Sequence, residues 1–474
     1  MNQIVHFVIG LVLARLLSPS EYGVVGMTTV FISISLIFIQ SGLGTALIRK
    51  QNCTDADYNT MFYSNIGIGF MAFIILFFSA GAIARFYNNT DLFLLVRVMA
   101  VNLIINSFGL VETAMLTKKI DFKRQTKISL IANVSSGIIG IVLAILGFSY
   151  WSLAIRTLCH NLFRVLLLHY TSSWKPKLMY SIDSFRELFG FGVKLLGSNL
   201  VATVYKNIHS LIIGKFYSAA ALGFYSKAQM FNHLFSTNIV LTTQRVTYPV
   251  LSALQHDNAR FRAGYRKTMK LLFFITSVLM SQVIINSSEL VHILLGSKWA
   301  TAAIYMRIIS LTGILYPLHS LNLNAINAKG RSDLALRLEL IKKAIAIPLL
   351  IVGAYFGLIP LLWSMVISSV IDYFLNSFYS GKLIGYSTKQ QLLDLAPSAL
   401  LITFVSAGVY GIAAIINMNV YLSFMFKASS ALFLIYLIGK LFKLFEVVET
   451  QRIFLDQISA HLILAYKRVF LKTS

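Results

Sequence analysis

The chain has 474 residues, 57% of them hydrophobic and only 12% charged, with a formal net charge of +24. Mean hydropathy is +0.74. That composition excludes a water-soluble domain, and basic residues dispersed over many short loops exclude a nucleic-acid patch.

About fourteen apolar stretches follow one another, at approximately 3–17, 22–48, 58–80, 91–116, 127–147, 150–170, 190–213, 220–246, 267–287, 300–326, 334–355, 358–381, 395–416 and 420–441. Most approach or exceed the ~20 residues a helix needs to cross a bilayer core, so each is predicted to be a membrane span. The first has no basic leader and no small-residue cleavage site, and reads as a span that stays. It is short, so a start further upstream is expected. Residues 172–189 read as an interfacial connector, with Trp174 and Lys175 at headgroup depth. After the last span comes a basic tail ending in Lys467, Arg468 and Lys472. Its apolar stripe, Ile453, Phe454, Ile458 and Leu462, is expected to lie on the membrane surface. Cys53 and Cys159 offer no disulfide framework.

Charge sits in every second gap. With the N-terminus inside, the cytoplasmic loops collect about 30 of the 41 Lys and Arg residues. The richest are 118–124, 260–270 and 329–343, whereas the opposite loops, such as 147–150 and 417–419, are short and almost uncharged. Both termini are predicted to be cytoplasmic.

Sliding the chain on itself by about 200 residues aligns two segments, as in a duplicated transporter. Leu11-Val12-Leu13-Ala14-Arg15-Leu16-Leu17-Ser18 lies over Leu211-Ile212-Ile213-Gly214-Lys215-Phe216-Tyr217-Ser218, and Gly23 meets Gly223. With small insertions Arg97 meets Arg307, Lys118 meets Lys329, and Trp151-Ser152 meets Trp363-Ser364. An even number of spans between equivalents makes the halves parallel. The predicted fold is therefore an all-α integral membrane protein with two parallel six-helix lobes around a central cleft, at 1–173 and 190–383. A connector at 174–189 joins them, and two additional helices (395–441) and the tail (442–474) follow.

Leu13-Ala14-Arg15-Leu16-Leu17-Ser18-Pro19-Ser20-Glu21-Tyr22-Gly23 and Gly42-Leu43-Gly44-Thr45-Ala46-Leu47-Ile48 resemble the opening of Wzx-like bacterial polysaccharide exporters. So do Ile213-Gly214-Lys215-Phe216, Ala221-Leu222-Gly223-Phe224-Tyr225-Ser226-Lys227-Ala228 and Tyr248-Pro249-Val250-Leu251-Ser252. These belong to the multidrug/oligosaccharidyl-lipid/polysaccharide flippase superfamily, and the resemblance runs from near the start to about residue 440. It implies transfer of undecaprenyl-diphosphate-linked glycans across the bacterial inner membrane for O-antigen, capsule or exopolysaccharide, without cofactor, metal or catalysis. It also implies a glycan-lipid substrate, surrounding membrane lipid, and the polymerase and glycosyltransferases of the same pathway as partners, with the chain acting as a monomer. Where many members carry an acidic residue in the seventh span, this chain has His209.

Ionisable residues inside spans are costly and mark functional candidates. Arg97, Arg156, Lys206, Lys227 and Arg307 fall on five spans near one depth, as a diphosphate site would require. The alternative is snorkelling, with each stem in lipid and each head among the outer headgroups. Arg164 and Asp372 lie near the centres of the sixth and twelfth spans, where an ion pair is one reading. An ion-coupling carboxylate at Asp372, with Glu112, is another. His160, His209, His233 and His319 lack metal-ligand spacing. Asn199, Asn207, Asn232, Asn322, Asn324 and Asn376 suit sugar hydroxyls or interhelical hydrogen bonds. A drug or organic-cation exporter of the same fold conflicts with the sign of the buried charge. A membrane glycosyltransferase or polymerase would need a catalytic loop longer than any present, and no ATP-site motif appears.

Overall fold

A computed structural model describes residues 2–40, 43–416 and 418–452. Among these residues all regular structure is helical, and nine helices are long and apolar enough to cross a membrane. The solvent explains this: with no water in the bilayer core, a spanning segment satisfies its N–H and C=O groups along its own helix. Side chains are sorted to match. Phe78, Phe404 and Ile415 are 75%, 73% and 85% exposed, whereas Asn65, Asn102, Asn322 and Asn376 are at most 1% exposed. Apolar outside and polar inside suits a lipid solvent, and the chain is a multi-pass membrane protein.

The chain divides into two compact units, Met1–Ser226 and Lys227–Ser474. The first holds α1 (Asn2–Leu16), α2 (Pro19–Gln40), α3 (Leu43–Arg49), α4 (Asp55–Tyr87), α5 (Asp91–Phe108), α6 (Leu110–Lys118), α7 (Phe122–Ile145), α8 (Trp151–Thr171), α9 (Ile182–Phe216) and most of α10 (Ala219–Asn232). Thr54 opens α4 with a capping box. Its hydroxyl accepts from the Asp57 N–H while the Asp57 carboxylate accepts from the Thr54 N–H, satisfying donors the helix leaves orphaned. Beside it Lys50 Nζ lies 2.8 Å from Glu187 and 3.0 Å from Asp57, and the hydrogen bond it donates to Glu187, then that to Asp57, holds its ammonium above the usual range. The connector is tied to the same helix start. The N–H of Lys177 donates to Asn59 Oδ1 at 2.6 Å, the N–H of Ser181 donates to Thr60 Oγ1 at 2.9 Å, and Trp174 packs on Phe62.

α2 and α10 begin against each other. A Cβ on Gly23 would stand 1.7 Å from the Ala219 carbonyl oxygen, and one on Gly223 would stand 1.9 Å from that of Pro19. Only glycine permits either approach. The contact is reciprocal in the register of the sequence repeat, in the manner of a twofold axis.

The second unit holds the end of α10, a π-helical turn at His233–Thr237, α11 (Asn238–Ala253), α12 (Asn258–Ile285), α13 (Ser287–Leu294), α14 (Thr301–Ala328), α15 (Ser332–Phe356), α16 (Leu358–Ile384), α17 (Thr388–Ile415) and α18 (Val420–Leu441). α14 is central and packs on α11, α12, α13 and α16. Tyr265, Met269, Leu318, Leu321 and Tyr373 fill its core, and Phe274, Ile402, Val405, Ala431 and Ile435 join α12 to α17 and α18.

Every predicted span falls on helix. Five of them lie on helices outside the nine: α1, α8, α9, α10 with α11, and α15. α1 is short, the π turn interrupts α10–α11, and the others carry the intramembrane charges that lower their apolarity. The amphipathic stripe expected at Ile453–Leu462 lies outside the described residues.

Candidate functional site

α8 carries Arg156, His160 and Arg164 at four-residue intervals, which places them on one helix face. Both guanidinium groups act electrostatically on His160. Arg156 Nη2 donates to Asn133 Oδ1 at 3.5 Å on α7, and its stem crosses Gly140, where a Cβ would stand 2.9 Å from Arg156 Cβ. Arg164 Nη2 donates to Thr113 Oγ1 at 3.2 Å on α6. Within their unit neither arginine has a carboxylate partner among the described residues. Two half-buried cations held only by neutral groups retain most of their N–H donors for an anion.

The other predicted cations have separate settings. Arg97 on α5 stacks between two rings, 3.9 Å from Phe93 and 4.5 Å from Phe77. Lys206 on α9 is exposed, and none of the described residues pairs with it. Lys227 is 4% exposed, with its ammonium 5.8 Å from the Trp299 ring. Arg307 on α14 donates through Nε to Ser287 Oγ at 2.6 Å and through Nη2 to Ser288 Oγ at 2.8 Å. Within the first unit, none of the partners described here is shared by Arg97, Arg156 and Lys206.

Glu112 is 2% exposed, and its Oε1 lies 2.5 Å from His169 Nδ1 at the end of α8. Asp372 is half-buried on α16, and its carboxylate feels Lys342 and Glu339 of α15, which pair with each other. His319 Nε2 meets Ser369 Oγ at 2.8 Å on the same packed helices. The asparagines divide by satisfaction. Asn322 accepts from the Tyr265 hydroxyl at 2.8 Å and from Ser380, and donates to Leu318 O at 2.7 Å, as an interior bracket would. Asn207 bonds only its own helix, through Thr203 O, Asn232 donates to Thr312 Oγ1, and Asn199 is exposed. Asn376 is fully buried with both amide atoms unpartnered among the described residues, and Asn324 Nδ2 is likewise unpartnered.

Sequence reasoning missed three features. His160 completes the α8 row, and its four-residue spacing was legible. His169 as the partner of Glu112, and the buried pair Lys427–Glu289 at 2.5 Å on α18 and α13, left no local signal, since each joins distant segments.

The family described as "Polysaccharide biosynthesis protein" matches residues 12–304, more than half of the chain. The chain belongs to that family. Among its relatives, the teichuronic acid biosynthesis protein TuaB of Bacillus subtilis (strain 168) is 28% identical over 312 residues. That alignment covers 63% of this chain and 62% of TuaB, less than two thirds of that relative. The lipopolysaccharide biosynthesis protein WzxC of Escherichia coli (strain K12) is 22% identical over 392 residues, covering 81% of this chain and 79% of WzxC. A structure titled as the lipid II flippase MurJ in an inward closed conformation superposes with a TM-score of 0.73 at 14% identity. It covers 93% of this chain and 97% of its own. The family member described here thus has the MurJ fold.

Proposed function

We propose that the chain is a flippase that moves polyprenyl-diphosphate-linked oligosaccharides across the bacterial inner membrane by alternating access, serving O-antigen, capsule or exopolysaccharide synthesis. Fourteen spans with both termini cytoplasmic, arranged as two parallel six-helix repeats and two extra helices, complete the reading. The reciprocal approaches of Gly23 to Ala219 and of Gly223 to Pro19 support the repeat. The names of TuaB, WzxC and MurJ connect the family and the fold with polysaccharide assembly and with flipping.

The observation that carries the proposal is the α8 row. An arginine near the centre of a span costs about 2.5–3.5 kcal/mol on insertion scales. Arg164 near the centre of its span and Arg156 in the second turn of the same helix, without carboxylates in their unit, are a cost that an anionic cargo offsets. Arg156 and Arg164 take phosphate oxygens through their free N–H donors, Lys206 adds a mobile point charge, and the exposed Asn199 meets glycan hydroxyls. Asp372, with no hydrogen bond among the described residues, is the carboxylate assigned to ion coupling; Glu112 is committed to His169. An organic-cation exporter is disfavoured because the same row would repel its cargo.

The test is leaflet exchange of a fluorescent polyprenyl-diphosphate oligosaccharide in proteoliposomes. Arg156→Gln and Arg164→Gln are each expected to slow exchange by about tenfold, the loss of roughly one charge-assisted contact. Unchanged exchange in both would remove the α8 site, and no exchange by the wild type would remove the function.

A further inference from the structure

Arg307 stands about 9 Å along α14 from its first residue, in the second turn. It forms one end of a cavity of about 400 Å³ between α12, α14 and α17, whose walls include Leu311, Ile314, Ile402 and Ser406, with Tyr410 at the charged end. That volume lies within the ~300–1,000 Å³ of small-molecule sites. The α17 face at the mouth, Thr403, Ala407 and Tyr410, is exposed.

Charge in this region reduces to one uncompensated cation. The Tyr410 ring lies 5.7 Å from Arg307 Cζ and 5.2 Å from Lys427 Nζ, so it touches two cations. Lys427 is neutralised by Glu289 at 2.5 Å and also donates to Ile285 O at 3.1 Å. Arg307 meets the hydroxyls of Ser287 and Ser288 and the Tyr410 ring, with no carboxylate partner among the described residues. Of its five N–H donors, three have no partner among the described residues. The Tyr410 hydroxyl and the Ser288 hydroxyl proton, beside it, remain available to donate.

We propose that this cavity binds an anionic glycerophospholipid, with Arg307 and Tyr410 on the phosphodiester and the start of an acyl chain between Leu311, Ile314 and Ile402. A cavity apolar along its walls and cationic at one end fits an amphiphile. One free positive charge matches a lipid carrying one negative charge, whereas a diphosphate would leave charge unmatched. The site lies in the second unit and is independent of the cargo assignment to α8.

The experiment uses the full chain, delipidated in a neutral detergent. Its thermal midpoint is followed during titration with phosphatidylglycerol, phosphatidylcholine, inorganic phosphate or undecaprenyl diphosphate. Phosphatidylglycerol is expected to raise the midpoint of the wild type, and Arg307→Gln to weaken that binding by about tenfold. Ala407→Trp, which fills the exposed mouth and leaves Arg307 in place, is expected to weaken it similarly. It decides the matter if Arg307→Gln fails to fold. Phosphatidylglycerol binding unaltered in Ala407→Trp and in a folded Arg307→Gln would overturn the proposal. Stabilisation by phosphate alone equal to that by the lipid would reassign the site to a free ion. Tighter Arg307-dependent binding of undecaprenyl diphosphate than of phosphatidylglycerol would reassign it to the cargo.

Discussion

Two groups of buried charge treat the same problem in opposite ways. On α18, Lys427 has a carboxylate, a backbone carbonyl and a tyrosine ring around its ammonium, with Ser423 also donating to Glu289 at 2.9 Å. On α8, Arg156 and Arg164 each have a single neutral partner. A cation that is compensated inside the protein holds helices together; one left with open donors is prepared for something that arrives. On the function proposed above, the difference is between architecture and binding, and it is not visible in residue type.

The comparison can be broken at its strongest point first. Lys427→Met strands Glu289 in a site where its side chain is only 12% accessible, and the expected loss is about 3–5 kcal/mol. Denaturant or thermal unfolding in detergent measures it. Adding Glu289→Gln should restore most of that loss, and a Lys427→Met protein as stable as the wild type would show the pair to be incidental. Arg156→Gln and Arg164→Gln should behave in the reverse manner, slowing transport while changing unfolding free energy by no more than about 1 kcal/mol, since each loses only one hydrogen bond to a neutral acceptor. The smallest effect is expected from Thr113→Val, which removes the hydroxyl that accepts from Arg164 and donates to Gly109 O at 2.7 Å. Its expected cost is about 0.6 kcal/mol, the average for membrane hydrogen bonds. A much larger cost would mean that Arg164 is locked for structure.

The α8 row also shows how far a sequence can be read. Arg156 and Arg164 stand out from sequence as charges within apolar runs, and their eight-residue separation puts them on one face once the helix is granted. Their lack of compensation is another matter. It depends on α6 presenting Thr113 and α7 presenting Asn133 at those places. Arg307 makes the same point. Sequence groups it by depth with four other cations, yet its neighbours are two serines of α13 and a tyrosine of α17. The glycine contact at α2 and α10 lies between these cases. The matching positions Gly23 and Gly223 were legible, while their reciprocal approaches to Ala219 and Pro19 were not.

The sequence by itself determined the membrane class and the helical stretches, and it set the expected orientation and repeat. Each rests on the composition or period of a local segment, and in lipid a local apolar segment has no alternative to helix. Tertiary structure alone decided which intramembrane charges are neutralised and which stay open. Pairing is settled within about 4 Å, and helix neighbours at that range, such as those bearing Glu289 and Lys427, come from segments remote along the chain.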